Sequence, residues 1–186
     1  MTRYYLGMTN RDEISALLDR LTRLHAAGRR VGDLNEVQRA ALDYLSRANR
    51  FSRAPSAVAD YLAATRGTVS QTLRSLARKG LVAETASSED RRVRRYDLTP
   101  EGVATLATTA PAARPGLTDA ETQDIAEALR NLVRSEIAAN GGRSFGLCRT
   151  CRHHVSTAEG SHCALLKLAL LPEEADQICH EHRAAA

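Results

Sequence analysis

The sequence predicts a mainly helical chain with one small β-hairpin, an α+β class. Three observations carry that expectation. Apolar residues recur at the spacing of a helix face in several separate segments. A single pair of short β-type runs flanks a polar turn near the middle of the chain. Hydrophobic residues make up 43% but aromatics only 4%, with no Trp, so the core must come from Leu, Ala, Val and Ile, a composition that favours helices.

The elements follow in order. Residues 11–26 place Ile14, Leu17, Leu18, Leu21 and Leu24 on one helical face, and Gly28 and Gly32 bracket a turn. A second helix over 34–48 carries Val37, Ala41, Leu42 and Leu45, with Asp33 as its cap. Pro55 suits the first turn of a third, short helix with Val58, Tyr61 and Leu62. Thr65 caps a fourth helix over 66–79, and Gly80 stops it. Runs 81–86 and 93–98, separated by a polar turn, read as a hairpin. Thr99 and Pro100 start another helix. A Pro/Gly/Ala-rich break spans 111–116. Thr118 then caps a long helix with Ile125, Leu129, Leu132, Val133 and Ile137 on one face, ended by Gly141 and Gly142.

Charge concentrates where the hairpin lies. The formal net charge is +4. Residues 50–100 hold ten basic and five acidic side chains, so this segment carries the whole positive excess. On the fourth helix, Val69, Leu73 and Leu76 share one face, while Gln71, Arg74, Ser75 and Arg78 share the other, with Thr68 at its edge. Amide and guanidinium groups match the acceptors of base edges and phosphates in the major groove. Gly67 gives room for close backbone approach. The hairpin tip, 89–95, holds Arg91, Arg92, Arg94 and Arg95, suited to the negative potential of a minor groove, with Asp90 pairing a neighbouring arginine. A tight helical turn, an exposed polar helix and a basic hairpin together describe a winged helix-turn-helix that binds double-stranded DNA.

The run 65–82, then Ser-Glu-Asp-Arg-Arg at 88–92 and Leu-Thr-Pro-Glu-Gly at 98–102, resembles the MarR family of bacterial transcription regulators, and the resemblance extends over about 11–140. It implies a homodimer joined through the N-terminal helix and the helices after the wing. It also implies a palindromic operator, often near the regulator's own gene. By position, Thr65, Arg66, Thr68, Gln71 and Arg74 would contact groove or phosphate, and Arg91, Arg92 and Arg94 would be wing contacts. Many members bind an aromatic effector between their two lobes, but few aromatics are present here to line such a pocket. The apolar stripes of 11–26 and 118–140 independently favour dimerisation. The bland alternative is that they pack on each other within one subunit.

The tail departs from that family. All four cysteines, Cys148, Cys151, Cys163 and Cys179, fall in the last quarter. In a reducing cytosol such a cluster points to metal ligands rather than disulfides. Gly160 and Pro172 suit the chain reversals needed to bring them together, and Arg149, Arg152 and backbone amides can offset thiolate charge. Three explanations compete: an iron–sulfur cluster of 4Fe-4S type, a structural zinc held by four thiolates or by three plus His182 or His180, and metal-free thiol redox sensing. One Cys-x-x-Cys pair with two isolated cysteines is similar to small 4Fe-4S modules. His153, His154, His162, His180 and His182 pull towards zinc.

Four segments result: a dimerisation helix (1–33), the winged helix-turn-helix (34–102), C-terminal dimerisation helices (103–142) and a metal-binding tail (143–186). No apolar run is long enough to span a bilayer and no signal-peptide pattern opens the chain, which predicts a cytoplasmic protein without a membrane partner. No Ser/His/Asp set, phosphate-binding glycine loop or paired carboxylates stand out, so an enzyme is not expected. The expected function is a dimeric repressor whose DNA affinity responds to the tail's cluster. Because the tail follows the long helix directly, the signal is expected to pass through dimerisation. A regulator with a structural zinc and a small-molecule effector is the alternative, and an electron-transfer protein a remote one.

Overall fold

The computed structural model describes residues 9–28, 33–86, 94–108, 116–140, 144–158 and 160–185. A winged-helix lobe forms the centre. Its helices are α2 (Glu36–Arg47), α3 (Pro55–Tyr61), α4 (Arg66–Arg78) and α5 (Pro100–Ala107), with a short 3-10 turn η1 (Arg50–Ser52) between α2 and α3. Strands β1 (Val82–Ala86) and β2 (Arg94–Leu98) pair antiparallel, Val82 opposite Leu98 and Ala86 opposite Arg94. Ala41, Leu42, Tyr44, Leu45, Val58, Val69, Leu73 and Leu76 are almost wholly buried and form one core.

The local signals act largely as expected. Thr65 Oγ1 accepts from the Thr68 amide at 3.1 Å, and Thr99 Oγ1 from the Gly102 amide at 3.1 Å. Gly80 has φ +73°, which a side chain would strain. Gly102 is required by contact: a Cβ there would lie 2.1 Å from the Leu81 carbonyl oxygen. Asp33 is not the cap of α2. Asn35 takes that role in a reciprocal box with Gln38, and Asp33 instead pairs with Lys79 Nζ at 2.6 Å.

Outside this lobe lie two long helices, α1 (Asn10–Gly28) and α6 (Asp119–Asn140). Ile14, Leu17, Leu18, Leu21, Ile125, Ala128, Leu129 and Leu132 line an apolar groove between them. Ile14, Leu17, Leu21, Leu24, Ile125, Leu129 and Val133 remain exposed, so packing within one subunit does not cover the stripes. No helix among the described residues is long and apolar enough to cross a membrane.

The tail is a small β module. Strand β3 (Gly146–Leu147) pairs with β7 (Ile178–Cys179), and β4 (His154–Thr157), β5 (Gly160–Cys163) and β6 (Leu168–Leu170) form a second antiparallel sheet. Short 3-10 turns, η2 (Cys148–Thr150) and η3 (Pro172–Asp176), connect them. Gly160, at φ +134°, turns β4 into β5. None of these strands was legible in the sequence, because runs of two to four residues carry no usable alternation.

Candidate functional site

The burial of Val69, Thr72, Leu73 and Leu76 fixes the rotation of α4. It leaves Thr65, Arg66, Thr68, Gln71, Arg74 and Arg78 exposed. Arg74 Nε donates back to the Ser70 carbonyl at 3.2 Å, which lays its stem along the helix. Ser75 departs from the expected polar face: its hydroxyl accepts from Gln38 Nε2 at 3.0 Å and ties α4 to α2. A Cβ on Gly67 would meet nothing closer than Thr65 Oγ1 at 3.9 Å, so that surface is open. Arg94 pairs with Glu84 across the hairpin at 3.2 Å. Glu89, Asp90, Arg91 and Arg92 lie outside the described residues.

The hairpin is anchored at its base by Arg53. Its Nη1 donates to Asp97 Oδ1 at 2.7 Å, its Nε to the Ala48 carbonyl at 3.0 Å, and its own carbonyl accepts from the Tyr96 amide at 3.0 Å. The segment just before Arg53 is the one the tail grips.

The four cysteines of that tail are all buried and none is in a disulfide. Burial pushes the Cys148 thiol up to about 12, with Cys179, Cys163, Cys151 and Glu174 adding to the rise. Burial also raises Cys179, partly opposed by the Glu181 backbone and by the Asn49 and Ser52 side chains. The Arg183 amide donates to Cys151 Sγ at 3.4 Å. Phe51, Leu170, Leu166 and Leu168 pack around Cys148 and Cys163 as an apolar wall. Among the described residues no three His, Cys, Asp or Glu side chains form a group that could hold a metal ion. Four thiols are the donor types of a thiolate-held centre, but the described side chains are not brought together as ligands of one ion.

The other expected partners are turned elsewhere. His182 presents Nε2 to Thr150 Oγ1 at 3.0 Å and Nδ1 to Ser144 Oγ at 3.4 Å, so hydroxyls meet both ring nitrogens. Burial lowers its basicity. His180 Nε2 lies 3.0 Å from Glu181 Oε1. Arg149 pairs with Asp176, and Arg152 Nε points to His153.

The tail docks on the winged-helix lobe. Ile178 enters the main core beside α2, and Phe145 packs edge-on to Tyr44 and Tyr61, at ring distances of 6.0 and 5.1 Å. The Asn49 amide donates to the Ile178 carbonyl at 2.9 Å, and the His180 amide to Ser52 Oγ at 2.9 Å. Arg50 Nη1 meets buried Glu174 at 2.5 Å, and Nη2 donates to the Ala169 carbonyl at 2.7 Å. The guanidinium groups of Arg50 and wing-base Arg95 both sit over the Phe51 ring. Sequence reasoning missed Asn49, Arg50, Phe51, Ser52, Phe145 and Glu174. One signal was available: in a chain with two Phe, both lie at this junction.

These features define a winged helix DNA-binding domain, and the family model of that description matches residues 34–102. A search of curated proteins found no match. Among solved structures, Bordetella bronchiseptica BpsR, described by its regulation of DNA binding by 6-hydroxynicotinic acid, is 26% identical with TM-score 0.52, over 65% of this chain and 98% of that one. The Staphylococcus aureus MepR–DNA complex is 20% identical with TM-score 0.53, over 69% and 99%. A MarR family transcription regulator is 24% identical with TM-score 0.53, over 68% and 87%. The fold is thus that of MarR-type structures, which align with about two thirds of this chain.

Proposed function

We propose that this chain is a dimeric, cytoplasmic transcription regulator of the MarR type, a repressor of a palindromic operator, whose DNA affinity is set by a thiolate-held iron–sulfur cluster in its tail. The fold likeness and the exposed polar face of α4 support DNA binding. The uncovered apolar faces of α1 and α6 support a dimer, since monomers rarely leave so large a contiguous apolar surface in water. Thr65, Arg66, Thr68, Gln71 and Arg74 are the groove and phosphate contacts, and Arg91, Arg92 and Arg94 the wing contacts.

The observation that carries the sensing role is four buried thiols in a module packed on the turn that anchors the wing. Cys148, Cys151, Cys163 and Cys179 would hold the cluster, and Phe51 with the leucines excludes water from it. When bound, such a group supplies a redox- and oxygen-sensitive crosslink among the tail's strands. A cluster spreads its thiolates over several metal atoms, whereas a single zinc needs all of its sulfurs at about 2.3 Å. The preference for a cluster over zinc rests on the sequence spacing, one Cys-x-x-Cys pair with two isolated cysteines.

Beside the route expected through the dimerisation helix, the junction supports a second one. The tail's β7 holds Asn49 and Ser52, and the chain continues into Arg53, which fixes Asp97 and Tyr96 of the wing. Loss of the centre would free β7, loosen η1 and let the wing shift. The test is metal and sulfide analysis of protein purified anaerobically. Roughly four iron and four sulfide per subunit with broad visible absorption support the reading. One zinc per subunit and a colourless protein overturn the cluster.

A further inference from the structure

Side chains alternate along β2, so Arg95 and Asp97 share one strand face. Residues of η1 and the Arg53 that follows it meet that face. Arg53 Nη1 donates to Asp97 Oδ1 at 2.7 Å, and the Arg53 carbonyl accepts from the Tyr96 amide at 3.0 Å. The Arg95 guanidinium carbon lies over the Phe51 ring, 5.9 Å from its centroid. Arg94, one residue back, is exposed and pairs with Glu84 at 3.2 Å. Arg95 is half-buried, although its place near the hairpin tip suited it to a groove. Phe51 has a second set of neighbours. It is buried and packs with Leu166, Leu168 and Leu170 of the tail. Arg50 lies over the same ring at 4.4 Å, held by the tail's Glu174 at 2.5 Å and by the Ala169 carbonyl at 2.7 Å. One ring thus touches both the tail's interior and the returning strand of the wing. A guanidinium within about 6 Å of a ring centroid is attracted by the ring's quadrupole, most strongly where water is excluded. A leucine in the same place would keep apolar contact and lose that attraction.

We propose that Phe51 is a positioning residue for DNA binding: its ring, seated against the tail, holds Arg95 and so fixes the returning strand of the wing against the duplex. Arg95 is then a brace inside the protein and not a groove or phosphate contact. The tail, by docking on Phe51 and Arg50, is part of the DNA-binding apparatus. The inference rests on the DNA-binding reading of the lobe and is independent of what the cysteines hold.

The experiment titrates an operator, selected from randomised duplex with the wild-type protein, over a series of salt concentrations. Full-length wild type is compared with Phe51→Leu, Arg95→Gln and the double variant. Each single variant is expected to weaken binding roughly 2- to 30-fold, the range of one cation–π contact from exposed to desolvated. The double variant should lose no more than the larger single loss, because both changes remove the same contact. Arg95→Gln should leave the slope of log affinity against log salt unchanged, since a braced arginine releases no counterion from the duplex. Additive losses in the double variant, or a salt slope reduced by about one in Arg95→Gln, would make Arg95 a direct phosphate contact and overturn the inference. Wild-type affinity in either single variant overturns it as well. If Phe51→Leu does not fold, the affinity and salt slope of Arg95→Gln decide the matter. A wild type that selects no duplex overturns the DNA-binding reading and the inference together.

Discussion

The winged-helix lobe and the cysteine tail solve the problem of stability in opposite ways. The lobe buries Leu42, Leu45, Val58, Val69, Leu73 and Leu76 against one another and closes its helices with its own caps. The tail, strands of two to four residues, has little apolar surface to bury. It borrows Phe51 from the lobe, lends Ile178 in return, and fills its remaining interior with thiols. Modules this small usually need a staple such as a metal or a disulfide. The lobe therefore stands by packing, while the tail leans on its host and, in the proposed reading, on a metal centre. That dependence is what would make the tail usable as the proposed sensor.

The sharpest way to break this contrast is to remove one thiol. Cys163→Ser should lose most of the bound metal and the amide-exchange protection of β4 to β6, while α2 and α4 stay protected. Full metal per subunit in that variant would contradict a four-ligand centre. Next in size is Ile178→Ala, which deletes the tail's contribution to the lobe's core and should cost about 2–4 kcal/mol in denaturant unfolding. A cost under about 0.5 kcal/mol would mean that the lobes do not share a core.

A third, smaller effect concerns pH. Cys148 is raised from 9.0 to about 12, so its folded form resists ionisation. The metal-free protein should hold its stability below pH 9 and lose it as pH rises from there towards 12, where the unfolded thiol ionises first. The metal-loaded protein should fail on the acid side instead, because protons compete for its thiolates. Equal pH–stability curves with and without metal would remove the distinction. Smallest is Arg74→Ala, expected to cost roughly 1–3 kcal/mol in operator binding and nothing in metal content. Unchanged DNA affinity would take Arg74 off the interface.

Legibility in the sequence follows the same divide. The lobe was readable because its signals are local: Thr65 and Thr99 cap, Pro55 and Pro100 open helices, and α4 has a clean apolar stripe. The errors there were also local. Asp33 lost the cap to Asn35, two residues on, which had Gln38 placed to complete the box, and Ser75 was drawn inward by Gln38. The grouping of the four cysteines in the last quarter was readable from the sequence. Their docking was not, because Ser52 and His180 are 128 positions apart, and polar residues in a short turn carry no period that points to a partner.

The central claim is that the tail's metal state sets the affinity of the winged-helix lobe. It is tested most directly by titrating an operator, selected from randomised duplex, with metal-loaded and metal-free protein at one salt concentration. Through the junction of β7, η1 and Arg53, the two forms should differ by roughly 5- to 150-fold, the usual range for coupled sites. Superimposable titrations from two well-folded dimers would contradict it.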